Sequence, residues 1–474
     1  MHSALVRLVY YSDFVFLGYF ALANLGYTFL MTLSLYSVSL HARYAAGRPF
    51  RHLADSPVTP PVSILIAAYN ERANILQTVL SLLELDYPEK EIIVVDDGSD
   101  DGTLEDLIRQ FRLSPMDFIF RERLKTGRPR GIYYNPDYPQ LVVVSVAHGG
   151  KSRALNVGIN LARSPYFCTV DADCLIEREA ILRLMAAVVQ SHEAVVVSGG
   201  IVRIANGCQL RDGRLEKIGL PSSWLELCQI VEYIRTFMFG RPGWNMLNAT
   251  FIASGAFCVL HKEAVIGAGG FSPDTVTEDI DVIAAVRRFL TEQRQKFRVT
   301  FTSDPICWTE APRSLRMLGR QRRRWQLGMA QTILRNRDMI LNRRYGATGM
   351  LGIPFHVLIE IVGSVVEAFG TLVLIPLSLL VLGTSWKIFL LFFALAVAYG
   401  TLLSMASVVM EEITLRRYPR LKDAMILMLF AVLENIGYRQ VVTVYRAWGV
   451  LQSVRLRRHG QWEAVKHEGL AVGA

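Results

Sequence analysis

Residues Phe14 to Leu40 are apolar or small and carry no charged side chain. That is long enough for a helix to cross a hydrocarbon core and longer than the apolar region of a cleaved signal peptide. Whatever this chain folds into must accommodate a bilayer, where backbone N–H and C=O groups have to be satisfied within the spanning segment. The stretch reads as an uncleaved first span. His41, Arg43, Arg48, Arg51 and His52 follow it, a basic flank that assigns the next domain to the cytoplasmic side. Of the 474 residues 51% are hydrophobic, so a sizeable soluble domain and further membrane segments share the chain. The net charge of +9 comes from arginines clustered beside the apolar segments. The positive-inside bias and a membrane surface account for them without nucleic acid. Cysteines at 168, 174, 208, 228, 258 and 307 form no Cys-x-x-Cys pair and meet no histidine cluster. Neither a zinc site nor a disulfide framework is implied, and a reducing compartment fits.

The prolines of Ser56 to Pro61 suit an extended spacer. Beyond them Val62–Ala68 and Glu91–Val95 read as buried strands, each followed by a polar tip and a helix. Strand, tip, helix, repeated, begins a mostly parallel sheet, so the fold class is α/β. The tips Ala68-Tyr69-Asn70-Glu71 and Asp96-Asp97 carry groups that can accept hydrogen bonds from a base and a ribose. Asp100 and Asp101 fit an Asp- and Gly-rich surface turn. Between Phe118 and Val146 a hairpin-like insertion is expected that returns to the sheet.

In His148-Gly-Gly-Lys151, a helix begins near the lysine. Free N–H groups at the helix start, two glycines and the lysine make a diphosphate cradle, although the P-loop spacing is absent; an ordinary surface lysine is the alternative. The run Tyr166 to Val170 then ends in Asp171-Ala-Asp173. A strand ending this way puts two carboxylates at the sheet's carboxyl edge, suited to a divalent cation with positions left for phosphate oxygens, or else simply closes a turn. Ser254-Gly255 lies in a small-residue segment that lets an acceptor approach closely or makes a packed bend. Thr277-Glu278-Asp279-Ile-Asp281 opens a helix, with Thr277 as N-cap and acids in the first turn. A partly desolvated carboxylate there can take a proton from a hydroxyl. Arg313 to Ile333 is an amphipathic helix with Leu315, Leu318, Trp325, Met329 and Ile333 on its apolar side, as in a helix lying at a membrane interface. Gln321, Arg324 and Trp325 share one face of it.

In this order, from about Pro61 to Trp325, the motifs resemble those of the processive family 2 glycosyltransferases: cellulose, chitin, hyaluronan and poly-N-acetylglucosamine synthases. The resemblance implies a GT-A type, Rossmann-like nucleotide-sugar domain that inverts at the anomeric carbon. Asp97 matches the family's first acid. Asp171 and Asp173 match its metal motif, for Mg²⁺ or Mn²⁺. Glu278 and Asp279 belong to its base motif, with Asp279 the base, and Gln321, Arg324 and Trp325 to its Gln-x-x-Arg-Trp motif. Ala68, Tyr69, Asn70, Glu71, Lys151 and Asp171 become donor-side candidates, and Ser254, Gly255 and Trp325 acceptor-side ones. The implied partners are a UDP-sugar, a polysaccharide or glycolipid acceptor, the lipid bilayer and an accessory export subunit. The implied location is a bacterial inner (plasma) membrane with the catalytic domain cytoplasmic. Transfer of a single sugar to a lipid is the alternative activity, and a transporter with an inert soluble domain a third reading.

The domain layout is 1–55 first span and flank, 56–311 GT-A domain, 312–347 interfacial helix, 348–447 membrane region and 448–474 basic tail. Gly349 to Gly383 is interrupted by Pro354, His356, Glu360 and Glu367, which calls for an interfacial or re-entrant start and then a span from about Gly363 to Leu382. Glu360 and Glu367 are expensive against lipid and should face protein, water or a passing polymer. Ile388 to Met410 is the clearest further span. Arg416, Arg417, Arg420 and Lys422 follow on the cytoplasmic side. Ala424 to Val444 is either a fourth span or an interfacial helix. The tail, with Arg455, Arg457, Arg458 and Lys466, favours a cytoplasmic end. After Trp448 it is too short for a folded regulatory domain.

Overall fold

The computed structural model describes residues 2–47, 50–117, 121–211, 213–381, 390–391 and 393–455. Arg457, Arg458 and Lys466 of the expected tail, and part of the expected insertion after residue 117, lie outside them.

The strands are β1 (Val62–Ala68), β2 (Lys90–Asp96), β3 (Ser114–Pro115), β4 (Gly131–Tyr134), β5 (Leu141–Ser145), β6 (Tyr166–Asp171), β7 (Cys174–Ile176), β8 (Val195–Ile204), the small pair β9 (Gln209–Arg211) and β10 (Arg214–Lys217), β11 (Phe257–His261) and β12 (Arg298–Thr309). Ten of them form one sheet in the order β3-β4-β5-β2-β1-β6-β11-β8-β12-β7. Its centre, β5-β2-β1-β6, is parallel, and β11 runs antiparallel to both β6 and β8. Side chains alternate between two cores. Ile64, Ile66, Ile92, Val94, Cys168 and Val170 enter one, while Leu65, Ile93, Val95 and Phe167 enter the other, as the period of two requires of a sheet covered on both faces. The parallel register sets Ala68 beside Asp96 and Ala67 beside Asp171, so three polar tips meet at one edge. The segment before β5 does return to the sheet, as the antiparallel pairs β3–β4 and β4–β5.

In chain order the helices are α1 (His2–Gly47), α2 (Ile75–Leu83), α3 (Thr103–Phe111), α4 (Lys151–Leu161), α5 (Ala180–Val189), α6 (Trp224–Arg235), α7 (Arg241–Met246), α8 (Lys262–Gly267), α9 (Glu278–Glu292) and α10 (Leu315–Arg335). After them come α11 (Thr348–Ser378), α12 (Ala394–Thr414), α13 (Leu421–Leu433) and α14 (Tyr438–Arg455). Within α1, the stretch Arg7–Leu40 and the whole of α11 and α12 are long and apolar enough to cross a membrane, and α13 with α14 makes a pair bent by 58°. The chain is an integral membrane protein.

Two expectations need correction. The first concerns Gly349 to Gly383, which is not a re-entrant start followed by a separate span: Thr348–Ser378 is one continuous helix. Its prolines are absorbed by π-turns, Thr348–Gly352 directly before Ile353-Pro354 and Gly370–Leu374 directly before Ile375-Pro376. A wider turn relieves the clash of the proline ring with the preceding carbonyl. The polar residues inside this helix meet protein: Glu360 pairs with Arg446 and accepts from the Tyr27 hydroxyl at 3.2 Å, and Glu367 lies 3.3 Å from Arg439. On α1, Asp13 accepts from the Ser378 hydroxyl at 2.8 Å. The second correction concerns α10. Leu315 and Trp325 are 39% and 36% exposed, whereas Arg322 is 2% exposed. That arginine is 2.7 Å from Glu232, which also accepts from the Tyr438 hydroxyl. Packing against α6 and α14 has reversed part of the apolar face that spacing alone assigns.

Two further pairs tie the membrane helices to the catalytic sheet and its helices. Arg203 of β8 meets Glu411 of α12, with side-chain exposures of 1% and 0%, and Arg235 of α6 meets Glu434, which also accepts from Ser404. Removing one partner of a buried pair leaves an uncompensated charge, costing roughly 3–5 kcal/mol. Arg203→Met is therefore expected to lower the unfolding temperature of the protein in lipid discs sharply. Arg203→Met combined with Glu411→Leu should recover most of the loss; equal loss in both variants would remove the pair from this role.

Candidate active site

Asp96 and Asp97, at the tip of β2, are almost fully buried, at 1% and 2% exposure. Asp97 accepts from the N–H of Gly149 at 2.9 Å and of Gly150 at 2.8 Å, and His148 Nδ1 lies 3.0 Å from it. Burial raises the Asp97 pKa while the Gly150 and Gly149 N–H groups pull it down. This corrects the expected diphosphate cradle: two of its N–H groups are already taken by Asp97, which clamps the loop leading into α4. At Gly98 φ is +75°, and a side chain there would meet the His148 backbone N at 2.9 Å. His148, which the sequence singled out only as part of its motif, stacks on Tyr69 with ring centroids 4.2 Å apart.

The β1 tip is organised by the same kind of local bonding. Asn70, at φ +58°, donates its N–H to Ser99 Oγ and accepts from the Asp100 N–H, both at 3.0 Å. The Glu71 N–H donates to Thr103 Oγ1 at 3.0 Å. Asp101 accepts from the Thr103 and Arg72 N–H groups, tying α3 to the same corner. The Asn70 amide is thus used in holding the β2–α3 turn. The Glu71 carboxyl faces the acids: burial, then Asp173 and Asp171, push its pKa up to about 9.

Asp171 ends β6, and the chain then leaves for the far edge of the sheet, where Cys174 pairs with Thr309 of β12. Asp171-Ala-Asp173 is therefore the turn by which the chain passes from β6 to β7. Asp173 accepts from Thr309 Oγ1 at 3.1 Å. Lys151, the first residue of α4, lies 2.6 Å from Asp171 Oδ1 and 2.9 Å from Glu278 Oε1. Burial works against its charge, yet the two carboxylates hold its pKa well above the usual lysine value. One ammonium thus joins this turn to the start of α9.

Asp279 is half-buried beside it. Its Oδ2 accepts from the Gly255 N–H at 3.0 Å and its Oδ1 from the Ile280 N–H at 3.0 Å. A side chain at Gly255 would sit 2.9 Å from Asp279 Cβ, so the space expected to admit an acceptor is filled by Asp279 itself. Burial first, then Glu278, raise the Asp279 pKa to about 6, with Lys151 and the Gly255 N–H opposing. That is the range in which a carboxylate works as a base near neutral pH. The expected Thr277 cap is not made: its hydroxyl bonds no group among the described residues. Thr277 is instead pressed against Gly328 of α10, where a side chain would collide with it. Val276 N–H donates to Gln331 of the same helix at 3.1 Å. Gln321, Arg324 and Trp325 occupy the two turns before Gly328; Trp325 carries the Arg322 guanidinium 4.3 Å from its ring centroid. Ser254 precedes Gly255 and accepts, through its carbonyl, from the Phe257 N–H at 3.1 Å. Sequence reasoning missed Arg241, whose charge reaches Asp279 and whose buried Nη1 bonds no group among the described residues. The only signal for it was an arginine ending an apolar run.

Ligand atoms of Asp171, Asp173 and Cys174 lie within 4.8 Å of one another. Carboxylate oxygens are hard donors suited to Mg²⁺ or Mn²⁺. The Cys174 thiol is held protonated by its hydrogen bond with Cys307 and by burial, so the carboxylates are the donors that fit. Burial first, and the charges of Asp173 and Asp171 next, raise the Glu71 pKa; a divalent cation would offset the acids' share.

The description "Glycosyl transferase family 2" matches residues 63–265, and "Glycosyl transferase family group 2" residues 167–405. A poly-beta-1,6-N-acetyl-D-glucosamine synthase of Staphylococcus epidermidis is 28% identical over 316 residues, 66% of this chain and 66% of that protein. One of Staphylococcus aureus is 29% identical over 275 residues, 58% of this chain and 56% of its own length. The matched region thus spans less than two thirds of these relatives. A mannosyltransferase of Pyrobaculum calidifontis in complex with GDP-Man and Mn²⁺ matches at 16% identity over 91% of this chain and 99% of that one, with a TM-score of 0.48, a likeness too low to carry an argument.

Asp171→Asn and Asp173→Asn are each expected to weaken Mn²⁺ binding by at least about tenfold, read by electron paramagnetic resonance of free Mn²⁺. Unchanged affinity in both would move the cation site elsewhere.

Proposed function

Because the chain belongs to glycosyl transferase family group 2, we propose that it is an inverting hexosyltransferase. It moves a sugar from a UDP-sugar to the growing end of a β-linked polysaccharide, processively and coupled to export. The supporting observation is the position of Asp279, fixed by the Gly255 N–H and facing the Lys151–Asp171 pair. The relatives named above make UDP-N-acetylglucosamine the first donor to test.

In this mechanism the β1 and β2 tips, with Tyr69, His148 and Glu71, receive the nucleotide, and Asp97 keeps the Gly149-Gly150 loop in shape for it. Asp171 and Asp173 would hold Mg²⁺ or Mn²⁺, which would supply positive charge to the diphosphate. Lys151 adds its ammonium to the same charge as the bond between the anomeric carbon and the UDP oxygen breaks, UDP leaving with the electron pair. Asp279 takes the proton of the acceptor hydroxyl while that oxygen bonds to the anomeric carbon from the opposite face. Glu278 orients Lys151. Trp325 offers an indole face to the acceptor sugar, and Arg324 and Gln321 border the diphosphate. The catalytic domain faces the cytoplasm from a bacterial inner membrane, and an accessory subunit assists export.

The test is UDP release by the full chain in lipid discs with Mg²⁺ or Mn²⁺, with the product sized. A long polymer supports the proposal; one sugar on a lipid overturns processivity, and no UDP release from any UDP-sugar overturns the reaction.

Asp279→Asn should abolish transfer and leave donor binding within about threefold, since it removes a base that acts only in the transition state. With the base pKa at about 6, protonation disables it, so kcat should fall about tenfold per pH unit below about 6. Lys151 lowers that pKa, so Lys151→Met should shift the limb to higher pH. A limb near 4 would mean that another group is the base.

A further inference from the structure

A pocket of about 620 Å³ opens at the end of α9 remote from Asp279. It is lined by Arg287, Arg294, Lys296, Phe297 and Arg344, with Glu193 the only carboxylate in its wall, and Glu193 lies 4.0 Å from Arg298. Arg287 is 4% exposed. Its Nε and Nη2 donate to the carbonyls of Thr250 and Asn248 at 2.9 to 3.2 Å, and its Nη1 bonds no group among the described residues. None of the described carboxylates lies within ion-pair distance of Arg287, Arg294, Lys296 or Arg344. Burial lowers the Arg287 pKa to about 9 with no acid to offset it. The two other described arginines exposed by less than 5%, Arg203 and Arg322, are paired, with Glu411 and Glu232. A buried guanidinium without a carboxylate partner is costly; the carbonyl bonds and the Phe297 ring, 5.8 Å from it, leave its charge unneutralised. Among the described residues no carboxylate supplies the neutralising charge, and an anion bound in the pocket would.

We infer that this pocket binds a phosphate-bearing anion, either free phosphate or the headgroup of an anionic lipid. The planar guanidinium with the three further cations Arg294, Lys296 and Arg344 fits several oxygens of one phosphate. The wall also includes Thr348, the first residue of the membrane-crossing α11, so the pocket stands where a headgroup lies and where basic groups attract anionic lipid. It shares no residue with the candidate active site. Eight residues of α9 separate Arg287 from Asp279, roughly 12 Å at 1.5 Å per residue, and Arg287 grips the Asn248–Thr250 segment that runs on to Gly255. Occupancy therefore bears on the segment whose Gly255 N–H bonds Asp279.

The experiment uses the full chain in phosphatidylcholine discs. In one arm inorganic phosphate is titrated against the unfolding temperature; in the other, discs containing phosphatidylglycerol are analysed by native mass spectrometry for retained lipid. Arg294→Glu combined with Arg344→Glu changes only exposed side chains. Arg287→Lys keeps the charge and loses the fork. Saturable binding in either arm, weakened at least about tenfold (about 1.4 kcal/mol) in the charge-reversed variant, supports the site, and the arm that responds names the source. No saturable binding in either arm, or equal affinity in the charge-reversed variant, overturns it.

Discussion

Lys151 is the contact on which the rest of the site depends. It begins α4, the helix that follows the loop clamped by Asp97, and it reaches Asp171 at the end of β6 and Glu278 at the start of α9. Four segments distant in sequence are thereby held around one buried charge. Two carboxylates and one ammonium leave a net negative site, and Asp173 adds to it, while the Glu71 carboxyl, with its pKa at about 9, stays protonated near neutral pH. Burial is the first cause of the elevated Glu71 and Asp279 pKa values, and the neighbouring acids add to it.

The membrane half is joined to this site by charge rather than by apolar packing alone. The Arg203–Glu411, Arg235–Glu434 and Arg322–Glu232 pairs each run between the catalytic half and a C-terminal helix or its junction. Buried pairs contribute little net stability, but a wrong register leaves each of them unpaired, which is expensive. They therefore fix how the helices sit against the sheet. Within the bilayer segment the same economy holds: Glu360 and Glu367 find arginines on α14, and glycines let helices approach, Gly363 against Tyr19 and Gly370 against Phe16. The docking of α10 through Gly328 on Thr277 extends this connection to the start of α9.

Much of this was legible beforehand because it is local. Apolar stretches of spanning length, buried strands with polar tips, and acids at the starts of helices follow from period, length and propensity, which a window of residues contains. The α/β class, the first span, the strands β1, β2 and β6 and the expectation that Glu360 and Glu367 face protein, water or a passing polymer rather than lipid were determined at that level. Tertiary structure decided what the same residues do to one another. Asp97 and Gly149 are 52 residues apart, and only the alignment of β2 with β5 brings the carboxylate to the loop N–H groups. Gly255 and Asp279 are 24 apart, and the close contact that excludes a side chain there has no local signature. Thr277 loses its cap and α10 buries Arg322 because neighbouring helices press on them, and the prolines of α11 pass because π-turns absorb them. Which donor a carboxylate finds is a property of juxtaposed segments, and no periodicity along one segment encodes it.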